Sequence, residues 1–61
     1  MNRIIEVLMN RDGMTEEEAT DLYRSVKPDI MDAIANGDSD LVDDLMAEEF
    51  GLEPDYILDL L

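Results

Sequence analysis

Apolar residues along this chain recur in short clusters at helical spacing, and each cluster is bounded by a recognisable start or stop. Ile4, Ile5, Leu8 and Met9, with Val7 beside them, fall at i, i+3 and i+4 and place one apolar face on a helix over residues 2–10. Arg11-Asp12-Gly13 reads as its end, because glycine accepts the left-handed conformation and arginine complements the negative end of the dipole. Thr15-Glu16-Glu17-Glu18 then forms a capping box: Thr15 can accept from the amide three residues on, and Glu18 can reach back. Met14 is placed to staple against Ala19. From there Ala19, Leu22, Tyr23, Val26, Ile30, Ala33 and Ile34 keep a single stripe that passes through Pro28.

An interior proline removes a helical hydrogen bond and costs ~3 kcal/mol. Two arrangements therefore fit the stripe. One is a single helix over 15–36, kinked near Lys27. The other is a break there, with Pro28 at the first position of a new helix. The unbroken phase favours the kink or a very tight break. Asn36-Gly37 ends the segment in both. Asp38 or Ser39 caps a helix over 39–50, with Leu41, Val42, Leu45, Met46 and Phe50 as its buried face and Gly51 as its stop. Pro54 suits the first turn of a last helix over 54–61, which offers Tyr56, Ile57, Leu60 and Leu61, with Leu58 to one side. No strand-period alternation persists. The expected fold is a single all-α domain, a compact bundle of three to four short helices.

Composition narrows how such a bundle can be stable. A chain of 61 residues buries only ~60% of its unfolded surface. It has no cysteine for a disulfide and no histidine, so a zinc site would need carboxylates alone. Helix packing or self-association must supply the stability. With 46% hydrophobic residues in periodic clusters, order is expected despite the charge. No apolar run approaches the ~20 residues that span a bilayer. No signal peptide is visible either, so the cytoplasm is the default expectation.

Charge changes the picture most. The formal net charge is −13, and all four basic residues (Arg3, Arg11, Arg24 and Lys27) precede Pro28. The stretch from Pro28 to Leu61 holds eleven carboxylates and no cation. Nucleic acid and anionic membranes are poor partners for such a surface, whereas a basic protein surface is a good one. Asp40, Asp44 and Glu48 recur every four residues opposite the apolar face, a rise of ~6 Å per step. Asp43 widens that stripe, and Glu53, Asp55 and Asp59 extend it into the last helix. A solvated face that keeps a small protein soluble is the plain reading. Two features go beyond it. Like charges at i, i+4 cost ~0.2–0.5 kcal/mol per pair, and Glu48 and Glu49 sit where the helix dipole favours a cation. Duplex DNA carries one charge per ~1.7 Å, so spaced carboxylates can imitate part of it.

Other constellations fail on their residues. Counting a calcium loop from Asp38 puts Asp43 where glycine is required. Catalysis lacks histidine, cysteine and a glycine-rich phosphate loop, so no enzyme, cofactor or metal centre is expected. Tyr56, Ile57, Leu60 and Leu61 are the best candidates for an apolar hot spot or a homodimer seam.

Three resemblances follow from particular residues. Ala47, Gly51, Leu52, Ile57 and Leu60 occupy the small, glycine and apolar positions of a helix-turn-helix corner over residues 47–60. The second arm carries Glu53, Asp55 and Asp59 and no phosphate-binding cation, so a packing corner is implied and DNA binding is not. Gly37-Asp38-Ser39 with Val42, Met46 and Glu48-Glu49-Phe50-Gly51 looks like acyl carrier proteins, but Asp40 follows Ser39 where those carry an aliphatic residue. Ser39 reads as a cap residue instead. Across its length, through Arg11 to Glu18 and Gly51 to Tyr56, the chain resembles the small acidic helical accessory proteins of bacteriophages and prophages. That resemblance implies a non-enzymatic protein that binds a host or phage protein, in several cases at a nucleic-acid-binding site.

Overall fold

The N-terminus of the first helix is made by one side chain. Asn2 stands in extended conformation, and its Oδ1 accepts from the amides of Ile4 (2.7 Å) and Ile5 (3.4 Å), which launches α1 (Arg3–Asp12). The computed structural model describes residues 2–60, so Leu61 lies outside the described residues. The capping box forms as the sequence implies: the Glu18 amide donates to Thr15 Oγ1 at 3.1 Å and the Thr15 amide donates to Glu18 Oε1 at 3.0 Å. It starts α2 (Glu16–Ala35). Met14 packs against the core that holds Ala19.

α2 passes through Pro28 without interruption, so the single-helix arrangement is the one adopted. Pro28 and Arg24, whose carbonyl loses its usual amide partner, are both solvent-exposed. The 20 residues of α2 amount to ~30 Å, which matches the 32 Å long dimension of the molecule. α1 and α3 (Ser39–Leu45) both pack on this spine. Between α2 and α3 the chain reverses through a Schellman motif: Asp38 N–H donates to Ala33 O and Gly37 N–H to Ile34 O. Gly37 has φ 70°, which a Cβ would strain. Asp38, rather than Ser39, caps α3 by accepting from the Leu41 amide at 3.2 Å.

The helix expected over 39–50 forms over that range, with a different winding in its second half. After Leu45 the backbone widens into a π turn, Met46–Phe50, ended by Gly51 at φ 64°. The wider turn accommodates Phe50, which is buried with its ring stacked on Tyr23 at 6.4 Å between centroids. Leu41, expected on the buried face, is 42% exposed. α3 is only seven residues long and meets α2 through Val42, leaving Leu41 on its flank.

The last helix is also corrected. It is a 3₁₀ helix, Pro54–Asp59, with Pro54 at its start as anticipated. Three residues per turn make i and i+3 eclipse, so the segment has three edges. Ile57 and Leu60 form the inner edge, half-buried and 1% exposed respectively, while Pro54 at the start of the same edge is exposed. Tyr56 and Asp59 turn toward α1. Asp55 and Leu58 face solvent, and Leu58 is 75% exposed. This explains why the segment reads as apolar on more than one face.

The core joins Ile4 and Leu8 of α1, Ala19, Val26, Ile30 and Ala33 of α2, then Val42, Met46, Phe50, Leu52 and Leu60. No polar or charged residue is buried with them among the described residues. The same residues contain no strand, and no helix long and apolar enough to cross a membrane.

Candidate acidic interface

Three of the four cations serve the fold's own contacts. The Arg11 guanidinium donates from Nη2 to Phe50 O (2.6 Å) and from Nη1 to Gly51 O (2.7 Å), some forty residues away in sequence. It thereby caps the C-terminal end of the π turn, the position where Glu48 and Glu49 leave the dipole without a cation. The sequence places Arg11 at the end of its own helix; the structure shows it ending a second one as well. Asp12 orients it, accepting from Nε at 3.0 Å and Nη2 at 2.8 Å. This charge-assisted pair raises the Arg11 pKa through the Asp12 hydrogen bond and lowers that of Asp12 through the same bond. The Glu18 carboxyl is likewise held low by the Thr15 backbone amide. Arg3 lies over the Tyr56 ring at 4.8 Å, and Lys27 over Tyr23 at 5.6 Å.

The predicted acidic residues divide. Asp40, Asp43, Asp44, Glu48, Glu53 and Asp55 are all exposed, and none has an ion-pair partner among the described residues. Asp59 is different. It is half-buried on the Tyr56 edge, with Oδ2 3.9 Å from Arg3 Nη1 and no hydrogen bond to that oxygen. Its main-chain carbonyl accepts from the Tyr23 hydroxyl (3.1 Å) and from Asn2 Nδ2, which ties both ends of the described chain to α2. Asp59 therefore belongs to this closing node and not to the outward acidic face.

The apolar candidates divide as well. Leu60 is a core residue of the single chain, so it offers no surface to a partner. Tyr56 is half-buried beneath Arg3. Ile57 alone opens onto the surface in company: with Ile34, Val42 and Pro54 it lines a concavity of about 320 Å³ rimmed by Asp38, Ser39 and Asp43. A second concavity adjoins it, sharing Asp43 and Pro54 and running on past Asp44, Ala47, Gly51 and Glu53. Asp40 and Glu48 line neither. The regular ladder Asp40, Asp44, Glu48 is broken, because Glu48 stands on the π turn. No three carboxylates among the described residues converge as a metal ion requires.

Ile34, Val42 and Asp38 join the site only through the fold. Asp38 carries a cap signal in the sequence, but nothing in the spacing places Ile34 beside Ile57.

No known protein family, curated protein or solved structure matches the chain.

Proposed function

We propose that this chain is a non-enzymatic, phage-type protein-binding modulator or inhibitor. Its acidic surface engages the basic, nucleic-acid-binding surface of a host or phage protein, as a partial mimic of nucleic acid. One observation carries the reading: Asp40, Asp43, Asp44, Glu48, Glu53 and Asp55 point to solvent without cation partners among the described residues, while Arg3, Arg11 and Lys27 are held against the fold's own rings and carbonyls. Uncompensated carboxylates weaken helices, so a face that concentrates them is consistent with use of the field itself. Such a field speeds and orients association, and salt screens it. The phage assignment rests on the resemblance of the whole chain.

The test is affinity capture from host lysate with a rising salt gradient, run in parallel on the wild type and on D40N/D44N/E48Q. A single nucleic-acid-binding protein released from the wild type at moderate salt, and retained poorly by the triple variant, is expected. Equal retention by the variant overturns the assignment. The alternative, a homodimeric module whose acidity serves only solubility, draws on the exposure of Leu58. Sedimentation over a wide concentration range separates the two, since that reading requires a dimer whose stability rises with concentration.

A further inference from the structure

The outward carboxylates do not all lie on featureless surface. Val42 and Asp43 stand in one groove between α3 and the 3₁₀ helix, which is apolar at one end and acidic at the other. Ile34 and Ile57 make the apolar end; Asp44 and Glu53 flank the acidic end. We propose that this groove docks a cationic amphipathic segment of a partner protein, a large apolar side chain seated on Ile34 and Ile57 with lysines or arginines running along Asp43 toward Glu53. The inference rests on the protein-binding reading above and specifies the partner's chemistry.

Charge complementarity selects this occupant. Every groove carboxylate lacks a cation partner within the chain, among the described residues. A second copy of the chain is a poor occupant, because it would bring net charge −13 to a surface of the same sign and has no basic residue after Lys27 to offer. Nucleic acid is repelled for the same reason. A cationic segment with an apolar anchor satisfies both ends at once, and amphipathic helices docking by an apolar face are a recurrent mode of recognition.

The probe is a synthetic helix-forming peptide with a leucine flanked, one turn to either side, by lysines. Its control replaces the leucine with serine at equal charge. Amide shifts in the full chain report where each binds. Saturable binding with shifts centred on Ile34, Val42 and Ile57 is expected. The control should bind about tenfold or more weakly, the equivalent of one buried leucine. I34S, at an exposed α2 position and with its helicity verified by circular dichroism, removes apolar area without changing charge, and should weaken the leucine peptide and leave the control unchanged. Equal affinity for both peptides, with shifts spread over Asp40 and Glu48, overturns the groove and leaves the acidic-surface reading standing. Binding of neither peptide overturns both. Concentration-dependent shifts at the same residues without peptide identify a second copy as occupant and overturn the choice of partner.

Discussion

The chain before Pro28 and the chain after it are built by different means. The first part has strong local instructions: Asn2 caps α1, Thr15 and Glu18 cap α2 reciprocally, Arg11 pairs with Asp12, and Lys27 lies over Tyr23. The second part has one side-chain N-cap, Asp38, and ends in a π turn and a 3₁₀ helix, neither of which has a side-chain N-cap. Its order depends on contacts reached from the first part: Arg11 at the π turn, Asn2 and Tyr23 at the 3₁₀ helix. The difference teaches that stabilisation and surface can be separated along one sequence. One half supplies most of the caps and all four basic side chains, and the other is left with carboxylates of which, among the described residues, only Asp38 and Asp59 contact other groups of the chain.

The largest blow to that arrangement is Phe50→Ala. Phe50 is fully buried at the meeting of the two parts, and such truncations cost about 3–5 kcal/mol. A domain of this length holds roughly 3–9 kcal/mol in total, so urea unfolding followed by circular dichroism should find the variant largely unfolded or close to it. Next comes Gly51→Ala. Its positive φ alone costs about 1–2 kcal/mol, and the new Cβ would meet Arg11 Nη2 at 3.1 Å. In an Arg11→Gln background that collision is gone, so the cost of Gly51→Ala should be smaller than in the wild type. A double-mutant cycle reads the difference, and strict additivity would show that Arg11 does not hold this corner.

How much of this was legible follows the same division. The helix starts at Thr15 and Pro54 are readable because each acts locally, Thr15 through hydrogen bonds within three residues and Pro54 through its fixed φ. The stripe from Ala19 to Ile34 is compatible with both a kink and a break at Pro28, and only the structure selects the uninterrupted helix. The π turn was not readable, since Met46 and Phe50 at i, i+4 satisfy an α-helical face equally well. Leu60 and Asp59 were misplaced for a related reason: an α-helical period spreads residues 54–61 over several faces, whereas a three-residue turn sends Leu60 inward and Asp59 toward Arg3. The groove was beyond reach, because Ile34 and Ile57 are brought together only by the packing of α3 and the 3₁₀ helix.

Smaller effects sharpen the contrast on the side of the first part. Thr15→Ala should cost about 1 kcal/mol, the usual value for a lost N-cap, measured as a shift in the urea midpoint without change in slope. Acid acts on the same cap. Glu18 and Asp12 have folded pKa values below their ordinary 4.5 and 3.8. Their contributions are complete above those unfolded values and are lost as pH falls through the lower folded ones. Urea melts from neutral pH to strong acid should therefore show a smaller acid loss in Glu18→Gln than in the wild type. An unchanged profile would remove Glu18 from the account.

The node at Asn2, Tyr23 and Asp59 has a consequence for how the polypeptide can be rewired. Residues 57 positions apart in sequence meet through a single amide group, so the described chain is nearly a ring. A short flexible linker from residue 60 back to residue 2 would complete the circuit and keep Leu60 in the core, and the exposed turn at Gly13 offers a place to open it elsewhere. Such a permuted chain would begin with the capping box of α2 and finish with α1. The order in which the helices are synthesised is thus separable from the packing they reach.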